Sequence, residues 1–272
     1  QQEFTRDMVS LPIFNRTEAA AASNRVQGFA PNPTEYYTAN IEEWTVTDGD
    51  TVVLGFTQEP ATLWTLIESA AVQRTASFLL GTPAATTYDY DYQAKGLTEL
   101  PTIENGGATN TPIEVSAGDT VWSNGEAVEL AEGVEVVNSE GETVTFDGTP
   151  IELNQLAVTF EYNPATWEDG EPVKQADREL AYAINCDPES GAVSFILCES
   201  YANVEFIDDN SYTITYHPGA QWPEYFVQTI GAYPSHQVLA DGRTLADVPA
   251  AEWATLPEIV EDPLSSGPYV LD

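Results

Sequence analysis

The pattern of apolar positions changes its period near residue 170. In LAVTFEY (156–162) apolar and other residues alternate, and a period of two predicts a strand with one face on a core. A Trp-x-Asp-Gly turn, WEDG (167–170), and Pro172 follow. After them the apolar positions take helical spacing, at Val173, Ala176, Leu180, Ala181 and Ile184. The segment therefore predicts a strand, a turn and an amphipathic helix.

The same patterns predict further elements on both sides. TVVLGF (51–56) is an apolar strand, and a helical stripe runs from Leu63 to Phe78 with Pro60 near its start. The remaining predictions are an edge strand at Tyr88–Tyr92, a hairpin of 134–137 with 143–146 around a Ser-Glu-Gly turn, strands at 203–207 and 211–216, and a short helix at 222–230. Strands and helices in one chain of 272 residues allow one or two domains with a sizeable core.

The net charge of the chain argues against several classes of function. The chain has 44 acidic and 8 basic residues, a net charge of −36, and only Lys95 and Lys174 as lysines. Such a surface repels phosphate backbones and anionic lipid, which argues against nucleic-acid binding and membrane adsorption. No apolar run reaches the roughly 18 residues that span a bilayer. The acidic surface favours solubility, with attraction of cationic ligands as the functional alternative.

Two cysteines, Cys186 and Cys198, leave two interpretations open. A disulfide closing this short loop would stabilise the fold by about 3 kcal/mol and would need an oxidising compartment. The alternative is a pair of buried thiols. The only histidines, His217 and His236, lack metal-ligand spacing, so neither a metal nor a cofactor is predicted. Because no nucleophile elbow, HExxH, P-loop or GxGxxG is found, an enzyme is not expected.

Five ordered segments together resemble one family. They are TVVLGFTQEPATLW (51–64), YDYDYQAKGLTELPTIENGG (88–107), WEDGEPV (167–173), VEFIDDNSYTITY (204–216) and PLSSGPYVL (263–271). They are similar to segments of the extracytoplasmic solute-binding proteins of oligopeptide-type ABC transporters. One departure concerns the helix after Pro-Val, where Lys174 and Gln175 replace the usual cap. This change predicts a helix start weaker by about 1 kcal/mol.

The resemblance implies an α/β fold, a type II periplasmic-binding-protein-like lobe with a mixed sheet and a small strand-rich inserted domain. The expected division is an N-terminal arm at 1–50, a discontinuous first lobe at 51–73 and 200–272, and an inserted domain at 74–199. In the family the GPYxL motif lies at the hinge to a second lobe, so the chain is expected to correspond to the N-terminal half only. It is then a fragment, a natural half-length protein, or an independent domain.

Two functions follow from these alternatives. The first is binding of a peptide-like ligand for an ABC permease, in an extracytoplasmic setting from which a signal has been removed, as Gln1 in place of Met suggests. The second is a surface assembly subunit that self-associates through open sheet edges and residues 1–50. Candidate ligand contacts, chosen by residue type and position near the expected cleft, are Gln58, Glu59, Trp64, Trp222, Tyr225 and Tyr233. Trp and Tyr residues in such segments are more often core residues than ligand contacts.

Overall fold

The computed structural model describes residues 19–31, 34, 36–56, 58–67, 71–88 and 91–271. Expectations for the first part of the N-terminal arm, for 68–70 in the predicted helix and for 89–90 in the Tyr-Asp segment lie outside these residues. None of the helices in the described part of the chain has the length and apolar character needed to cross a membrane.

The described residues contain short helices and many strands. The strands are Val26–Gln27 (β1), Thr45–Val46 (β2), Ala85–Tyr88 (β3), Asp91–Ala94 (β4), Ala108–Val115 (β5), Thr120–Ser123 (β6), Glu126–Glu129 (β7), Glu135–Val137 (β8), Thr143–Thr145 (β9), Ile151–Glu161 (β10), Tyr201–Asp208 (β11) and Ser211–Tyr216 (β12). The α-helices are Ala71–Leu80 (α1), Gln175–Asn185 (α2), Ile196–Ser200 (α3), Ala250–Trp253 (α4) and Pro257–Val260 (α5). Short 3₁₀ turns lie at Ile41–Glu43, Pro188–Ser190, Tyr225–Val227 and Leu245–Asp247.

The largest sheet has four strands in the order β11-β12-β10-β5. Its central strand β10 pairs antiparallel with β12, so that Val158 lies opposite Ile214 and Phe160 opposite Tyr212. All four of these side chains are fully buried. The alternation of the LAVTFEY segment is therefore confirmed as a strand with one face on the core.

Helix α2 packs on this sheet through Ala181, while Ile184 near its end reaches a second apolar cluster. That cluster is built mainly on Trp64, Leu245 and Trp253. A third cluster lies under the two hairpins β6–β7 and β8–β9 and includes Val121, Leu130, Val136, Phe146 and Leu153. The predicted helix, the hairpin at 134–146 and the strand pair around the Asp-Asp-Asn turn are confirmed.

Two expected elements are wrong, and one expectation about the sheet differs from what the described residues show. Residues 51–56 form no strand, and Val53 is 89% exposed, because no described strand offers their backbone a ladder of hydrogen bonds. Every strand pair among the described residues is antiparallel, so the expected mixed sheet is not found there. The segment 222–230 contains only the 3₁₀ turn Tyr225–Val227.

Among the described residues, the predicted helix at 63–78 is present from Ala71 onward. Residues 65–67 form a turn, and α1 begins at Ala71 and continues to Leu80.

The division into a discontinuous lobe and an inserted domain stays a prediction. The four-stranded sheet combines β5 and β10 from the segment 74–199 with β11 and β12 from 200–272.

Candidate functional site

The WEDG turn joins distant segments of the chain. Gly170, at φ 90°, closes the turn by donating its amide to the Trp167 carbonyl, a backbone conformation that favours glycine. The buried Trp167 donates its indole N–H to Asp177 in α2, at 2.9 Å. The motif that identified the segment in the sequence is thus a local turn whose side chains reach outward to other elements.

The carboxylate of Asp177 is buried and accepts hydrogen bonds from several neighbouring residues. Besides the Trp167 indole, it accepts from the Lys174 amide at 3.0 Å. Its other oxygen accepts from the amide and the hydroxyl of Ser235, at 2.8 and 2.6 Å. The Tyr233 amide also donates to the Asp177 backbone carbonyl, at 3.0 Å. Asp177 therefore positions the loop around Tyr233 against α2.

The next residue of the turn, Glu168, binds the segment SSGPY (265–269). Its amide donates to the Ser265 carbonyl at 2.9 Å, and its carboxylate accepts from the Ser265 amide at 3.0 Å. The buried Ser265 hydroxyl lies within hydrogen-bonding distance of the carbonyls of Leu80, at 3.1 Å, and Tyr269. The Tyr269 amide in turn donates to Leu79 at 3.0 Å. SSGPY is therefore fixed against the end of α1.

Asp169 completes the set of contacts. It lies 2.8 Å from His236 Nε2, on the same loop as Tyr233. The Glu171 backbone amide, and after it the His236 ring, hold the pKa of the Asp169 carboxyl below its usual range. Each acidic member of the WEDG turn thus contacts a different segment.

These segments surround a cleft with a cavity volume of about 230 Å³. Its walls come from the Trp64 segment, the end of α1, the WEDG turn, the Tyr233 loop, α5 and the SSGPY segment. The lining residues are Leu63, Trp64, Thr65, Ser77, Leu80, Gly81, Trp167, Ala232, Tyr233, Pro234, Glu258, Ile259, Pro263, Leu264 and Ser266. A larger cavity, of about 360 Å³, is lined by residues 19–55 and includes none of the predicted ligand residues.

Two of the six predicted ligand residues lie together in the wall of the 230 Å³ cleft. The Trp64 indole donates to the Tyr233 hydroxyl oxygen at 2.9 Å, and both rings pack on Trp253. The Tyr233 hydroxyl donates to Asn185 Oδ1 at 3.2 Å. Burial raises the pKa of Tyr233 to about 12, so its hydroxyl stays protonated at neutral pH.

The other four predicted ligand residues are elsewhere. Gln58 and Glu59 are exposed and do not line this cleft. Trp222 packs beside Trp122, with 6.2 Å between ring centroids, and its buried indole nitrogen has no partner in the described part of the chain. The Tyr225 hydroxyl accepts from the Ile103 amide at 3.2 Å. A ligand role for these residues stays a prediction.

The lining residues that sequence reasoning missed include Trp167 and Glu258. The WxDG motif already singled out Trp167, but as a turn residue. Glu258 had no sequence signal, because its place in the cleft depends on contacts between α5 and a segment almost 200 residues earlier. No group of three potential metal ligands occurs among the residues that the structure describes.

Cys186 and Cys198 form a disulfide, with Cα atoms 5.5 Å apart. The disulfide interpretation is therefore confirmed and the pair of free thiols is wrong. The bond joins the residue after α2 to α3. Together with the type of protein that the motifs resemble, a disulfide suggests an extracytoplasmic protein.

Neither known family models nor curated proteins match this sequence. Among solved structures, an oligopeptide-binding protein from Thermus thermophilus, complexed with a pentapeptide, is similar at 18% identity and TM-score 0.44, over 65% of this chain. The oligopeptide-binding protein AppA from Bacillus subtilis, in complex with a nonapeptide, has 12% identity and TM-score 0.49 over 77%. NikZ from Campylobacter jejuni, in complex with Ni(L-His), has 12% identity and TM-score 0.44 over 78%.

The solved structures that this chain matches thus include oligopeptide-binding proteins, the same class that its motifs resemble. The chain spans only 24% to 31% of the length of the three matched structures. The activity of a whole protein of that class is accordingly a proposal for this chain.

Proposed function

We propose that this chain is part of an extracytoplasmic solute-binding protein that captures peptide-like ligands for an ABC importer. One observation carries the proposal. Motif segments that lie far apart in the sequence meet around one cleft. Glu168 and Ser265 are 97 positions apart, and Ser265 and Leu80 are 185 apart, yet they form direct hydrogen bonds.

The cleft suits non-covalent capture of an organic solute. Its walls are mainly apolar and aromatic, as in small-molecule sites generally. The polar atoms of Trp64, Trp167 and Tyr233 are bound to other residues, which keeps the rings in place before a ligand arrives. Preformed walls reduce the entropy lost on binding.

A second surface is part of the proposal. The matched structures are three to four times longer than the part this chain covers. We infer that a further lobe closes over the cleft in the complete protein and that Gln58 and Glu59, which are exposed, face it. The comparisons give the assembly-subunit alternative no support.

Titration of the tryptophan fluorescence tests the proposal. A mixture of short peptides should produce a saturable change, and a mixture of sugars should not. Ala232→Phe places a ring in the cleft and should abolish the response to peptides. Ala254→Phe, at an exposed position outside the cleft, should leave the response unchanged.

Two results of the titration would contradict the proposal. Peptides that cause no response in either this chain or the longest natural form of the protein would exclude peptide capture. A response that Ala232→Phe and Ala254→Phe change equally would place binding outside the cleft. Circular dichroism of both variants verifies that they are folded.

A further inference from the structure

We propose that the 230 Å³ cleft binds a basic side chain of the peptide, a guanidinium or ammonium group at the end of an aliphatic stem. The inference rests on the proposed function and names the part of the ligand that this cleft selects. Three observations carry the inference: the charge of the lining residues, the hydrogen bonds that their polar atoms already form with other residues, and the volume of the cleft.

The cleft has one charged residue in its lining, the carboxylate of Glu258. The side chain is partly buried, and no hydrogen bond or ion pair of this carboxylate is formed with a described residue. The remaining lining residues are neutral. An anionic ligand group would therefore meet a like charge here, and a cation would find an opposite one. The net charge of −36 for the whole chain acts in the same direction at longer range.

Glu258 is held at the cleft by its own helix. It is the second residue of α5, and its neighbour Ile259 is buried in the cluster with Trp64 and Trp253. The carbonyl of Val260, in the same helix, accepts from the Leu63 amide at 2.8 Å. Because α5 is tied to the Trp64 segment, the carboxylate stays beside the aromatic wall.

The aromatic wall offers little else to a polar ligand. The Trp64 indole donates to Tyr233, the Trp167 indole to Asp177 and the Tyr233 hydroxyl to Asn185. The Ser77 hydroxyl donates to the Arg74 carbonyl, and the Ser266 amide donates to Leu80. A ligand group that needs donors finds few of them. A group that donates hydrogen bonds and carries positive charge finds Glu258 and aromatic surface, which is the environment that favours arginine and lysine.

The size of the cleft favours one side chain over a longer stretch of peptide. Its volume of about 230 Å³ is below the roughly 300 to 1,000 Å³ typical of sites for complete small molecules. An aliphatic stem would contact the apolar wall at Leu80 and Ile259, while its charged end reached Glu258. The rest of the peptide would lie outside, toward the proposed second lobe.

Three matched ligands test the inference by fluorescence titration of the full chain at low ionic strength: the acetylated amides of arginine, citrulline and norleucine. Citrulline has nearly the shape of arginine without its charge, and norleucine keeps only the stem. Arginine should bind about fivefold more tightly than citrulline, because the ion pair and the cation–ring contact are lost in the neutral analogue. Citrulline and norleucine should then differ little.

Two variants place the effect in the cleft. Glu258→Gln should remove the preference for arginine over citrulline. Glu261→Gln makes the same change of charge three positions later, at an exposed residue outside the cleft, and should keep the preference. Circular dichroism and the unfolding midpoint show whether each variant is folded.

Equal binding of arginine and citrulline, absence of binding by all three, or equal loss of preference in both variants would overturn the inference. The peptide titration described above separates this failure from that of the proposed function. If peptides still bind and Ala232→Phe blocks them, peptide capture stands and only the basic specificity is wrong. If no peptide binds, both fail.

Discussion

At the scale of single residues, Gly267 shows how closely two segments approach. A Cβ atom there would lie 2.4 Å from the Gly81 nitrogen and 2.5 Å from the Leu80 carbonyl carbon. Both contacts are with backbone, which cannot move aside without separating SSGPY from α1. We expect Gly267→Ala to lower the free energy of unfolding by about 2 to 3 kcal/mol, measured by urea denaturation.

Gly231 is the matched control for this substitution. A Cβ atom built there meets nothing within 4 Å, and the residue is exposed. Gly231→Ala should change the free energy of unfolding by less than about 0.5 kcal/mol. If both variants lost a similar amount of unfolding free energy, the close backbone contacts would not be the reason that position 267 needs glycine.

At the scale of elements, the start of helix α2 shows which residue acts where the predicted side-chain cap is missing. Lys174 provides no capping acceptor; its ammonium instead pairs with Glu171 at 2.8 Å. The Gln175 amide donates to Asp209 in the β11–β12 turn, 34 positions later, at 3.0 Å. The missing local cap is thus replaced by a carboxylate from another element, which is also favourable at the positive end of a helix.

This replacement can be measured. Asp209→Ala should lower the free energy of unfolding by about 1 kcal/mol, the usual cost of removing a cap. Asp209→Asn keeps an oxygen acceptor and should recover most of that loss. If urea denaturation shows the two variants to be equally unstable, or Asp209→Ala to be as stable as the original, the cap contributes nothing.

At the scale of the whole molecule, the net charge of −36 sets the response to salt. Like charges repel more strongly in the compact fold than in the extended chain, and added salt screens this repulsion. The screening length falls from about 10 Å at 0.1 M to about 3 Å at 1 M ionic strength. We expect the midpoint of thermal unfolding to rise by roughly 3 to 6 °C between these two concentrations of sodium chloride.

Potassium chloride should have the same effect at equal ionic strength, because screening does not depend on which monovalent cation supplies it. An increase specific to one cation would indicate ion binding instead. A midpoint that stays constant, or falls, with added salt would show that self-repulsion does not limit the stability of this fold.

The sequence by itself determined the elements whose signal is local. The alternation in LAVTFEY marked β10, the helical stripe after Pro172 marked α2, and turn residues separated the strands of the hairpins. Periodicity reports which face of an element is buried, and that requires no knowledge of the partner. The sequence alone also gave the cysteine pair and the ordered motifs, because spacing and residue order are read directly from the chain.

Only the tertiary structure decided which segments meet. It gave the apolar segment 51–56 no partner strand among the described residues. It also gave α2 a cap from Asp209 and brought Trp64, Tyr233 and Glu258 to one cleft. It also separated Trp222 and Tyr225 from that cleft, although their residue type alone made them equal candidates. Each outcome depends on a partner many positions away, and the choice among such partners is made by packing and backbone hydrogen bonding across the whole fold.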